Sequence, residues 1–188
     1  MGKIVLLGDE AEEEALFPVK EAFPLFDVDF FTLELGEKEH LSQEDDVREL
    51  AAAIKVLTQR LIVERCTESN TIRTLYTQYI EALPKSRAMW RLRLFILSLC
   101  PEAFKSELKS AFFQLFEIEQ FNEIISGAEY MRALQKSFVI LPEDDKREYI
   151  ANVIAYFTKE YQERGKEKEN WHKIYGSRIL SMIADQLT

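Results

Sequence analysis

The stretch RAMWRLRLFILSLC, Arg87 to Cys100, is apolar nearly throughout yet carries Arg91 and Arg93 inside it. Turning each residue by about 100° around a helix axis gathers Leu92, Phe95, Ile96 and Leu99 on one flank. Trp90, Leu94 and Leu97 gather on roughly the opposite flank, and the two arginines fall in the seams between. A helix that is apolar on two flanks must be covered on both, as in layered helical hairpins where an inner helix touches the hairpins before and after it. The arginines then either form structural ion pairs or exposed seams, with the charged heads snorkelling out, or pair with acidic groups of a partner.

The rest of the chain agrees with a helical architecture. Only 6 Gly and 5 Pro in 188 residues leave little room for the turns of an all-β fold. The 47% hydrophobic fraction is enough for a core without metals or disulfides. Ser42 followed by QEDD reads as a capping residue before an acidic first turn, and Val47, Leu50, Ile54, Leu57 and Leu61 follow at helical spacing. A second helix starts near Ser69 or Asn70, carries Ile72, Leu75, Tyr76, Tyr79, Ile80 and Leu83, and stops at Pro84. Pro101 is placed to open the helix after the arginine segment, with Phe104, Leu108, Phe112, Leu115 and Phe116 as its stripe. The short piece FNEII ends at Gly127, and two helices flank Pro142. After Gly165 the run KEKEN reads as a solvated loop or helix end, and a last helix carries Trp171, Ile174, Tyr175, Ile179, Ile183 and Leu187.

An internal echo supports repeated hairpins. Leu83-Pro84 recurs as Leu141-Pro142, and the same shift of 58 residues lays Leu92 on Ile150, Phe95 on Val153, Ile96 on Ile154 and Leu99 on Phe157. The first forty residues, with KIVLL and DVDFFTLEL, are mixed in pattern and are broken by Pro18 and Pro24. The expectation is therefore an all-α chain of stacked antiparallel hairpins, an α-solenoid of HEAT-like kind, over residues 42–188, with an irregular or mixed N-terminal extension, 1–41, packed on the array.

Charge and composition exclude several functions. A net charge of −9 without a basic cluster makes nucleic-acid binding through this region unfavourable. No segment approaches the roughly 20 apolar residues of a membrane span, and the acidic start MGKIVLLGDEAEEE lacks the pattern of a signal peptide. Cys66 and Cys100, few and far apart, suit free buried thiols in a reducing compartment, hence a cytoplasmic chain. His40 and His172 lack metal-ligand spacing, so no metal and no cofactor is expected. GDEAEEE has one glycine where a phosphate cradle needs several. Glu143, Asp144 and Asp145 are read as capping groups after Pro142 in preference to a pair of catalytic carboxylates.

The order LRLFILSLC, SELKSAFFQLFEIEQFNEII and AEYMRALQKSF…LPEDDKREYIANVIAYFTKEY resembles the helical-repeat portion of PCI-family scaffold subunits, which occur in translation initiation factor three and related assemblies. The likeness spans roughly Ile72 to Tyr161. It implies a non-enzymatic subunit that docks other protein subunits, and a winged-helix end beyond Thr188. Trp90, Arg91, Arg93 and Trp171 are the candidate partner-binding residues. The alternative is a helical-bundle enzyme or ligand-binding domain whose pocket draws carboxylates and tyrosines from separate helices.

Overall fold

The computed structural model describes residues 43–83, 85, 87–118, 121–125, 127–164 and 169–186, and these form helices and turns with no strand among them. The expectations for residues 1–41, for Ser42 as a cap, for Pro84 and for Gly165 lie outside the described residues.

Helix α1 (Gln43–Val63) is rich in Ala, Leu, Gln and Glu, all strong helix formers, and Arg60 in its last turn faces the negative end of the helix dipole. It is followed by α2 (Ser69–Tyr76), which widens into a π-helical turn over Thr77–Glu81. The arginine-bearing segment is α3 (Arg87–Leu97), in which every residue from Ala88 to Leu97 is buried. It is enclosed by α1, α4 (Lys105–Leu115), the short α5 (Phe121–Ile125) and α6 (Ala128–Ser137), of which α6 packs against it most extensively. Both flanks read from the sequence are thus covered. Each fully buried Leu, Ile or Phe contributes about 1.5–3 kcal/mol, which makes α3 the central element of the core. A 3-10 turn, Phe138–Ile140, ends α6, and α7 (Glu143–Arg164) then packs on α4 and on α8 (Glu169–Ala184), which also reaches α6.

Two expectations are corrected, and one helix buries its apolar row only in part. Pro101 does not open a helix: Pro101–Phe104 form a turn, and α4 begins at Lys105. The turn carries the fully buried Phe104 to Tyr76, with ring centroids 5.4 Å apart. The apolar row of α1 is buried in part: Ile54 packs against the core beside the buried Ala51, Ala52, Lys55 and Ile62, while Leu57 is 66% and Leu61 37% exposed. Finally, Cys66 and Cys100 are not free thiols but a disulfide, with their Cα atoms 5.9 Å apart. It ties the turn after α1 to the end of α3, which lie together because the two helices pack side by side. The cytoplasmic address, argued from free thiols, loses that support.

A non-α turn precedes each leucine of the echo, the π turn Thr77–Glu81 before Leu83 and the 3-10 turn Phe138–Ile140 before Leu141, and the next helices are α3 and α7. Burial diverges: Ile96 is fully buried, but its counterpart Ile154 is 52% exposed. None of the described helices is long and apolar enough to cross a membrane.

Candidate functional site

Arg91 and Arg93 leave α3 on different sides and meet different surroundings. Arg91 forms a two-pronged ion pair with Glu129 of α6, Nε donating to Oε2 at 2.8 Å and a terminal nitrogen to Oε1 at 3.2 Å. The Glu129 side chain is fully buried and that of Arg91 7% exposed. Gly127 makes room for the pair: a Cβ there would lie 2.9 Å from Arg91 Nε and 3.0 Å from Glu129 Oε2. Nearby, the buried hydroxyls of Tyr130 and Tyr149 bond each other inside a cage that includes Phe112, Phe113, Phe116, Phe121 and Phe138. Burial pushes both phenols well above the usual tyrosine range. This side of the helix is closed.

Arg93 faces the other way. It donates to the main-chain carbonyls of Glu81 and Leu83, where the π turn unwinds, and its guanidinium sits 5.1 Å from the centre of the Trp90 ring. Burial lowers the Arg93 pKa, with Tyr76 and Glu81 acting in the opposite direction. These residues form the floor of a cleft of about 320 Å³ between α2 with its π turn, the first half of α3, and α4. Tyr76, Trp90, Arg93 and Ala111 are its buried part, and Glu81, Lys85, Ser106, Ser110 and Gln114 its exposed rim. Glu107, also on the rim, accepts from Arg73 Nε at 2.6 Å and from the Ser106 hydroxyl at 2.8 Å. Arg73 also donates to Ser106 Oγ at 2.9 Å, and Gln114 Nε2 donates to Ser110 Oγ at 2.7 Å. Burial raises the Tyr76 phenol well above its ordinary value, against the pull of Arg93, so at neutral pH it is a protonated hydroxyl and no base.

One floor atom is left over. Trp90 is 3% exposed, and its Nε1–H is buried without a hydrogen-bond acceptor. An orphaned buried donor costs about 1–3 kcal/mol. The π turn beside it adds to the interest of the site, since such turns are frequent where a helix is locally adapted to a function.

Of the four residues singled out from the sequence, Trp90 and Arg93 meet in the cleft floor and Arg91 lies in the closed interface. Trp171 is on α8, and its side chain lies outside the described residues. Tyr76, Glu107, Ser110 and Gln114 were not foreseen as site residues, because Tyr76 reads as one more member of an apolar stripe and the others as an exposed helix face. Glu129 gave one signal, its position two residues after a glycine that opens a helix. The three acidic residues opening α7 go separate ways: Glu143 binds Lys146 at 2.7 Å, Asp145 binds Lys109 at 2.8 Å, and Asp144 stands 3.8 Å from Arg147. Among the described residues no three His, Cys, Asp or Glu side chains gather as metal ligands. The chain matches no protein-family model, no curated protein and no solved structure.

Proposed function

We propose that the chain is a non-enzymatic helical scaffold that binds other protein subunits, its hairpins stacked in HEAT-like fashion, in an assembly of translation-initiation or other PCI type. The observation that carries this reading is the leucine row of α1. On a helical wheel Leu57 and Leu61 point about 120° away from the buried Ala51, Lys55 and Ile62. Leu57 and Leu61 are nonetheless exposed, so α1 has two faces suited to burial and only one is buried by the described residues. A cytoplasmic home for such an assembly requires the Cys66–Cys100 bond to be reducible there.

Purification of the tagged chain from its native source tests the proposal. A stoichiometric partner should co-elute and be lost in a Leu57→Glu/Leu61→Glu variant of unchanged helicity. A chain that runs alone at 22.0 kDa counts against it. If the double variant unfolds the isolated chain instead, the row belongs to an internal contact.

A second reading has a specific observation behind it. Tyr76, Glu81 and Glu107 bring a tyrosine and two carboxylates from separate elements to one cleft, as a ligand-binding bundle would. Glu107 is engaged by Arg73 and Ser106, and Tyr76 holds its proton, so this group of side chains is suited to binding and poorly suited to proton transfer.

A further inference from the structure

We infer that the Cys66–Cys100 bond is a redox latch: a dithiol reductant opens it in the folded chain and lets the second half of α1 loosen from α3. That half is lightly held. From Val56 to Val63 the one buried side chain is Ile62, while Leu57, Arg60, Leu61 and Val63 are exposed. In α3 every residue from Ala88 to Leu97 is buried, and α6 covers that helix more extensively than α1 does. On the other side of the Cys66 turn, α2 has its own anchors in the buried Ile72 and Tyr76. Ile62 and the covalent tie are thus what fix the end of α1, and elements with few buried contacts are those that open locally.

The two sulfurs differ in reach. Cys66 is half-buried in a turn whose Glu64, Arg65 and Glu68 are exposed, whereas Cys100 is 5% exposed. Exchange proceeds by attack of a thiolate on a disulfide sulfur, so access selects Cys66. One thiolate of the dithiol bonds to Cys66 Sγ, the Cys66–Cys100 bond breaks, and its electron pair passes to Cys100 Sγ, which takes up a proton. The second thiol of the dithiol then attacks the first sulfur of its own molecule, closes a disulfide there and releases Cys66, which is protonated in turn. Two electrons and two protons have moved from the dithiol to the chain. The fold has a place for the product: Cys100 Sγ stands 3.8 Å from the Ile62 carbonyl oxygen, so the buried thiol has an acceptor. Leu57 and Leu61 lie on the loosened half, so under the scaffold reading reduction also takes away the ordered row that a partner would meet.

The test is amide hydrogen exchange of the full chain, read by NMR before and after dithiothreitol in the absence of denaturant. The bond should be cut in the folded chain, and the amides of Val56–Val63 should then exchange about a hundredfold faster than before. They should also exchange at least about tenfold faster than those of Leu92–Leu97, the mark of local opening. Oxidised glutathione should restore the protection. A pulse of iodoacetamide on the reduced chain should alkylate Cys66 at least about tenfold faster than Cys100. Cys66→Ser, which leaves the Cys100 thiol its carbonyl acceptor, should show the same loosening without reductant. A bond that is cut only once urea unfolds the chain overturns the inference. So does unchanged protection of Val56–Val63 after reduction, or a reduced chain in which α1 and α3 share one protection factor and open together. None of these readouts needs a partner, so failure here leaves the scaffold to be judged by capture with the Leu57→Glu/Leu61→Glu variant, and failure of capture leaves the latch standing.

Discussion

Arg91 and Arg93 stand two residues apart on one helix, and the structure treats them in opposite ways. Arg91 is closed in with a fully buried carboxylate and a glycine shaped to the pair. Arg93 is held by main-chain carbonyls at the base of an open cleft, beside an indole N–H that has no acceptor. The difference teaches what burial alone conceals, since both arginines are under 10% exposed. A polar seam whose groups are matched inside the chain reads as structure. A seam held by main-chain carbonyls beside a cleft leaves one buried donor unmatched and the rim open to solvent.

The sharpest way to break this contrast is Glu129→Ala. It leaves the Arg91 charge buried without its carboxylate and should cost about 3–5 kcal/mol, measured by urea unfolding. A cost below about 1 kcal/mol would mean that the closed side is not closed. The comparison should also survive a change elsewhere on α3. Reducing Cys66–Cys100, which closes a loop of sequence separation 34, should cost about 3–4 kcal/mol. That loss should be nearly the same in wild type and in Glu129→Ala, because the disulfide lies beyond the ion pair along α3 and shares no partner with it. Unequal losses would show that the pair and the disulfide form one coupled unit.

How much of this could be read from the sequence depends on what kind of signal each feature leaves. Hydrophobic period located the longer described helices but left FNEII, which is α5, as a short apolar piece, and the two-flanked pattern of Leu92, Phe95, Leu94 and Leu97 correctly required α3 to be enclosed. The same signal placed α1 but did not show which of its apolar residues are buried: Ala51, Ala52 and Ile62 are, and Leu57 and Leu61 are not. Glu129 was not singled out, because a buried carboxylate is legible only once its cation is known to face it. The cleft left no pattern at all. Its residues come from three successive elements whose packing angles the apolar period does not give, and the widening of α2 at Thr77–Glu81 has no proline or glycine to announce it. The disulfide failed for the same reason: two cysteines 34 residues apart are a pair only after α1 and α3 are packed.

Smaller effects test the closed side in detail. Gly127→Ala pushes a methyl group against Arg91 Nε and should cost about 1–3 kcal/mol, with the loss shrinking in a Glu129→Ala background where the guanidinium can move. Alkaline pH probes the Tyr130–Tyr149 pair. Their folded-state pKa values lie above the unfolded value of about 10, so their contribution is fully present below pH 10 and is lost as pH rises toward the folded values. Stability should fall above pH 10 by up to about 1.4 kcal/mol per pH unit for each buried phenol. Tyrosinate absorbance should appear together with loss of helix, and its appearance in the still-folded chain would show that water reaches the pair.

The smallest effect expected is the one that separates the two sides of α3 most cleanly. Trp90→Phe trims a buried aromatic, which by itself costs stability through the space it leaves. The same change removes an indole donor that is buried without an acceptor, and so returns the roughly 1–3 kcal/mol that the orphan costs the folded state. The two terms oppose each other, and the net change should stay within about 1 kcal/mol of zero, although Trp90 is as deeply buried as Arg91. A loss comparable to that of Glu129→Ala would mean that the indole already has a matched place in the fold. A near-neutral result would show that the unmet N–H costs the folded chain about as much as the larger ring returns by filling its space.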